Sequence, residues 1–188
     1  MSIQTCSNTE LLAMLVGKRK AEKLSRNTLV SLFYARENNN HYTKELIAAK
    51  ELVKRSLSEE LQRQDALTAP AKVVEFLKLM LVGMEHEVFV ALFLDAKNHL
   101  IAAEELFRGT LTNTAVYPRE VVKRALALNA GNVIFGHNHP SGIATPSHAD
   151  KTLTETLKHA LALVDVKVLD HLVIGDTEAV SFAESGWL

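Results

Sequence analysis

The chain alternates between segments with a helical period and short apolar runs. The longest such run, Val88-Phe89-Val90-Ala91-Leu92-Phe93-Leu94, has no polar face, which predicts a central strand over 86–94 covered on both sides. Asp95-Ala96-Lys97-Asn98 supplies turn residues, so 99–107 is expected to fold back as a hairpin partner. Upstream, Pro70 opens a helix over 70–82 with Val73, Val74, Phe76, Leu77, Met80 and Leu81 on its apolar positions. Downstream, Tyr117-Pro118-Arg119-Glu120 starts a helix with Val121, Val122, Ala125, Leu126 and Leu128 on its core face, closed by Ala130-Gly131-Asn132. Asn132-Val133-Ile134-Phe135-Gly136 reads as a buried strand, and Leu153, Leu157, Ala160, Leu161 and Val164 mark the helix that follows it. Residues 166–174 and 178–182 read as two strands joined by the turn Gly175-Asp176-Thr177.

The N-terminal part has only helical patterns. They cover 8–24, 27–36 and 43–63, the last with Leu46, Ala49, Val53, Leu57 and Leu61 on one stripe. Gln64 to Ala69, short and polar to small and followed by Pro70, is the best boundary. The expected architecture is therefore α/β (α+β), a mixed β-sheet flanked by helices over 70–188, preceded by a small helical segment over 1–69.

Chemistry concentrates after the strand that ends at Gly136. His137 and His139 are two apart, so in extended backbone their rings point to the same side while Asn138 faces away. Seven residues then lead to Ser147, and two more to Asp150, near the start of the next helix. Two imidazoles and a carboxylate with an open fourth position are the donor set of a catalytic rather than a structural metal site. Only one cysteine, Cys6, exists, so neither a thiolate cage nor an intramolecular disulfide framework can be built. Ser147 and Asp150 have a second reading, because [ST]-x-x-[DE] before an apolar helix is also a capping box, and Thr145 with Pro146 is a competing cap. Capping does not account for the two histidines.

This pattern resembles the JAMM (MPN+) metalloprotease motif, and His137-Asn138-His139-Pro140-Ser141-Gly142 is similar to its RadC-like branch. The likeness extends over roughly 70 to 188, through Glu87-Val88-Phe89, Gly109-Thr110, Tyr117-Pro118-Arg119-Glu120, Asn129-Ala130, Pro146-Ser147 and Asp170-His171-Leu172-Val173-Ile174-Gly175. The resemblance implies a JAMM/MPN-like fold with cytidine-deaminase-like layering and one Zn2+ per chain on His137, His139 and Asp150. It also implies Glu87 as general acid/base and Ser147 as an oxyanion stabiliser. By strand parity Glu87 shares a face with Phe89, Ala91 and Phe93, where apolar neighbours would raise a carboxylate's proton affinity, but parity alone leaves Glu85 and Glu87 open. The resemblance selects Glu87.

Composition narrows the function classes. With 188 residues and 47% hydrophobic content the chain can bury a sizeable core. No run nears eighteen apolar residues, and Met1 to Ser7 lacks a signal-peptide layout, so a cytoplasmic protein without membrane partners is expected. Residues 1–69 carry 11 Lys/Arg against 8 Asp/Glu, and 70–188 carry 10 against 14. Longer RadC-like proteins carry a helix-hairpin-helix region that 10–12 and 44–52 faintly resemble. Glycines needed for backbone approach to phosphates are missing between Gly17 and Gly83, so helical packing or partner contact is weighed above DNA contact there. His41, His86, His99 and His159 read as surface residues, and the motif skips His148. Asp170 and His171 alternate faces and cannot both point at a metal.

The expected activity is zinc-dependent amide hydrolysis, and the family resemblance implies a peptide or isopeptide bond in a protein or peptide substrate. The alternatives are a DNA-repair-associated protein with DNA-binding or nuclease activity and a non-catalytic interaction module; homo-oligomer formation stays open. A two-metal nuclease would want more clustered carboxylates and a basic surface, whereas the second part is net acidic. An inert module has no need to keep Glu87, His137, His139, Ser147 and Asp150 together.

Overall fold

A computed structural model describes residues 3–29, 32, 43–109 and 116–188. The chain forms two compact units, 1–56 and 57–188. In the first, α1 (Asn8–Val16) and α2 (Lys18–Leu24) are separate helices where the sequence pattern suggested one. Gly17, at φ 81° and ψ 153°, breaks the hydrogen-bond ladder between them. Leu12, Val16, Ala21, Leu24, Leu32 and Leu46 form this unit's core. The helix expected over 27–36 lies largely outside the described residues.

The division between the units falls inside α3 (Lys44–Arg63). Its expected apolar stripe is buried at Leu46 and Leu61, but Val53 is 52% exposed and its neighbour Leu52 67%. Periodicity reported the helix correctly and overstated its buried face.

The second unit is a five-stranded sheet in the order β2-β1-β3-β4-β5, with β1 (Val88–Leu94), β2 (Leu100–Arg108), β3 (Asn132–Asn138), β4 (Lys167–Ile174) and β5 (Ala179–Ser181). β1 runs antiparallel to β2 and β3, β3 parallel to β4, and β4 antiparallel to β5, so the sheet is mixed. All seven residues of β1 are buried, as expected of a strand without a polar face. On one side of the sheet Phe89, Ala91, Phe93, Val133 and Phe135 pack on Val121 and Ala125 of α5 (Pro118–Ala127) and on Leu157 and Leu161 of α6 (His148–Ala162). On the other side α4 (Pro70–Leu81) lies so close that a Cβ on Gly136 would sit 2.9 Å from both methyl carbons of the fully buried Leu77. The site described next is built where β3 leaves this sandwich.

β4 departs from simple alternation. Val133 pairs with Val168, but the next residue, Ile134, pairs with Asp170. This bulge carries an extra residue, Leu169, and reverses the facing of everything after it. Val168 and His171 therefore share a face, and Asp170 points to the opposite one. There Asp170 accepts the Ser181 hydroxyl at 2.7 Å and the Ala183 amide at 3.0 Å.

Candidate metal centre

β3 sends alternate side chains to opposite layers. Phe135 and His137 face α5 and α6, and His137 is stacked over Phe89 with ring centroids 6.5 Å apart. Asn138 faces away, 3% exposed, where its Oδ1 accepts the Val88 amide at 2.8 Å and its Nδ2 donates to the His86 carbonyl at 3.1 Å. His139 follows the strand, and its amide still bonds Ile174 O at 3.1 Å. The chain then turns, Gly142 N donating to His139 O at 2.9 Å, and brings Ile143 O within 2.7 Å of His139 Nδ1. A carbonyl can only accept, so His139 carries its proton on Nδ1 when neutral and offers Nε2 to the site. The loop after β4 closes on this turn: Asp176 N donates to Gly142 O at 3.0 Å, and a Cβ at Gly175 would meet Gly142 O at 2.5 Å. Only a glycine fits there.

Ser147 is the N-cap of α6, in extended conformation at φ −78° and ψ 169°. Its Oγ accepts the Asp150 amide at 3.2 Å, while Asp150 Oδ2 accepts the Ser147 amide and hydroxyl, both at 2.7 Å. The capping box exists, on Ser147 and not on Thr145, and it does not compete with a role in metal binding. It holds the carboxylate with its other oxygen, Oδ1, 3.4 Å from His137 Nε2.

His137, His139 and Asp150 thus converge, each with one candidate donor atom within 4.8 Å of the others. His137 Nε2 lies 3.1 Å from His139 Nε2, and His139 Nε2 lies 3.5 Å from Asp150 Oδ2. Donors about 2.0–2.1 Å from a tetrahedral ion lie about 3.3–3.4 Å apart. The imidazole pair, at 3.1 Å, is near that edge, the carboxylate approaches the two rings through different oxygens, Oδ1 at 3.4 Å and Oδ2 at 3.5 Å, and the donor chemistry, two imidazoles and a carboxylate, fits a divalent cation.

The charges are coupled accordingly. Burial would raise the Asp150 carboxyl, but contacts with His137 and His139, attraction to His137 and the Ser147 hydroxyl outweigh it and hold Asp150 far below the usual carboxylate range. Asp150 in turn raises His139 above the ordinary imidazole value, against the effect of burial and with help from the Ile143 carbonyl and from Glu87. Glu87 stands one residue before β1, half-buried, and its backbone carbonyl accepts the Gly109 amide at 2.9 Å. Its charge reaches His139, yet it is not among the three residues whose donor atoms cluster.

Two residues deeper in the fold complete the arrangement. His171, fully buried, has Nε2 2.8 Å from His137 Nδ1 and Nδ1 2.6 Å from the hydroxyl of Thr154 on α6. Phe89, Phe135 and Phe182 surround its ring, and this burial, reinforced by His137, pushes it well below the ordinary imidazole value. Sequence reasoning left His171 without a direction because the bulge in β4 is invisible to parity, and passed over Thr154 altogether. The signal for Thr154 was a polar residue three positions before Leu157 and seven before Leu161, on the helix face that ought to be apolar. Of the other histidines, His86 is half-buried, with Nε2 unpartnered, whereas it was expected on the surface. His99 bonds Asp95 at 3.2 Å, far along the sheet from this end.

A model of the RadC-like JAB domain matches residues 67–187, which spans the sheet and every residue of the site. The chain belongs to that family. Within it, the RadC-like chain is 61% identical over 144 residues to a UPF0758 protein of Polaromonas sp., covering 77% of this chain and 64% of that protein. It is 61% identical over 142 residues to one of Nitrosospira multiformis, covering 76% and 63%, and 60% identical over 145 residues to one of Dechloromonas aromatica, covering 77% and 64%. The RadC-like chain therefore spans a little under two thirds of the length of these relatives. No helix among the described residues is long and apolar enough to cross a membrane.

Proposed function

We propose that the JAB domain is a zinc-dependent hydrolase that cleaves peptide or isopeptide bonds with a metal-activated water. The observation that carries this reading is the convergence of His137 Nε2, His139 Nε2 and the Asp150 carboxylate, three metal-ligating groups each with a donor atom within 4.8 Å of the others. Those three residues would hold the ion. When bound there, zinc supplies Lewis acidity and brings the pKa of a water down to about 7.

The remaining roles fall to this chain's own groups. The Glu87 carboxylate takes the proton of the attacking water and passes it to the amine nitrogen as the C–N bond breaks. Ser147 fixes the Asp150 carboxylate through its amide and hydroxyl. To steady a substrate oxyanion, its hydroxyl turns from Asp150 Oδ2 to the substrate oxygen. Phe89, stacked on His137, keeps that side of the ring dry.

The substrate class rests on the family resemblance. Zinc-loaded full chain incubated with a peptide library, isopeptide-linked conjugates and oligonucleotides tests it, with Glu87→Gln as control. Amide cleavage that disappears in Glu87→Gln while zinc and fold are kept is the expected result. Cleavage of oligonucleotides alone, or undiminished amide cleavage in Glu87→Gln, overturns it.

A further inference from the structure

A buried chain of polar atoms runs from one proposed ligand to another through the interior of the domain. It begins at the backbone carbonyl of Asp150, which accepts the Thr154 hydroxyl at 2.6 Å. The same hydroxyl oxygen lies 2.6 Å from His171 Nδ1, and His171 Nε2 lies 2.8 Å from His137 Nδ1. His137 Nε2 then faces His139 and Asp150.

Proton directions along this chain follow from what each atom can do. A carbonyl oxygen has no proton to give, so at 2.6 Å the Thr154 hydroxyl proton lies on the side of Asp150 O. Thr154 Oγ has no second proton, so at its own 2.6 Å contact it must accept, and His171 Nδ1 must be the donor. His171 is 0% exposed among phenylalanine rings, where only the neutral ring is tolerated, so its Nε2 is bare. A bare Nε2 2.8 Å from His137 Nδ1 requires the proton there, and that leaves the His137 lone pair on Nε2, toward Asp150 and His139.

We propose that Thr154 and His171 are positioning residues that lock His137 in the tautomer presenting Nε2 to the metal. This rests on the metal-site reading of His137, His139 and Asp150. The opposite tautomer would leave two bare nitrogens facing each other in a dry interior. The lock is anchored on the carbonyl of Asp150, so the backbone of one ligand sets the tautomer of another.

The test uses the full chain and zinc. Long-range 1H–15N spectra of the wild-type protein, metal-free and zinc-loaded, read the tautomers directly: His171 and His137 are each expected to carry the proton on Nδ1. Thr154→Val, nearly isosteric, removes the acceptor for His171 Nδ1 and is expected to lower zinc affinity about 10–100-fold, the usual cost of losing a group that orients a metal ligand. Thr154→Ser restores the hydroxyl and is expected to return affinity to within a few-fold of wild type, which a role in packing alone would not do. A His171 proton on Nε2 in the wild type overturns the proposal. So does wild-type zinc affinity in a folded Thr154→Val, or failure of Thr154→Ser to restore it. A wild-type chain that takes up no zinc sinks the metal-site reading instead, and the metal-free spectra still decide the tautomer.

Discussion

Replacing Asn138 by alanine should cost the second unit about 2–4 kcal/mol. The side chain is 3% exposed and stands in for a rung of the β1–β3 ladder, accepting Val88 N at 2.8 Å and donating to His86 O at 3.1 Å. Val88 is itself buried, so truncation strands its amide at about 1–3 kcal/mol, and the lost bond to the half-buried His86 carbonyl adds about 1 kcal/mol. Asn138→Asp keeps the acceptor but sets a carboxylate oxygen against His86 O and is expected to cost at least as much. The sole tryptophan, Trp187, packs on Phe182 at a centroid distance of 5.4 Å, so its fluorescence in urea reports the unfolding of this unit. The same two bonds hold residues 86–88 against the strand that carries His137 and His139, which places Glu87. Turnover should therefore fall further than zinc affinity does. A loss of stability below about 0.5 kcal/mol, too small for a stranded buried amide, with unchanged turnover would refute the argument.

Ser147→Ala should lose about 1 kcal/mol of stability with the α6 cap, and about 10–100-fold in zinc affinity, since Asp150 then keeps only one of the two Ser147 bonds to Oδ2. Denaturation and metal titration check both, and Ser147→Thr should lose little of either. Apparent zinc affinity should rise steadily from about pH 6 to above 7, because the metal competes with a proton on His139 that Asp150 holds above the ordinary imidazole value near 6.5. In the metal-free protein the same shift contributes stability that is fully present below about pH 6.5 and lost as pH climbs above that, through the raised His139 value, so zinc-free and zinc-loaded stability curves should diverge upward with pH. A fragment 57–188 should fold and bind zinc by circular dichroism and titration, whereas 66–188 should be less stable by about 2–5 kcal/mol, because it lacks the buried Leu61 and the Glu60–Lys72 ion pair.

What could be read from the chain, and what could not, divides along physical lines. The unbroken apolar run of β1, the proline-started helices α4 and α5, and the spacing of His137, His139, Ser147 and Asp150 are local signals, and β1, α4 and α5 lie within a residue or two of their expected bounds. The capping and metal readings of Ser147 and Asp150 looked like alternatives in sequence because each accounts for the same spacing. In three dimensions a carboxylate has two oxygens, and one serves the cap while the other faces His137. The direction of His171 was hidden by the bulge between Val168 and Asp170, a feature of how β4 pairs with β3 and not of β4 alone. Thr154 was hidden because its partner lies 17 residues away on a different element. The exposed middle of α3 escaped periodicity because a stripe marks what can be buried and says nothing of what covers it.

Metal content tests the central claim most directly. The full chain, purified and reconstituted with excess zinc and then freed of loosely held ions, should retain about one zinc per polypeptide, as a site of three protein ligands does. The His137→Ala/His139→Ala double variant, with its capping box and fold intact, should retain none. Equal zinc in the double variant, or no retained metal in the wild type, would contradict the account.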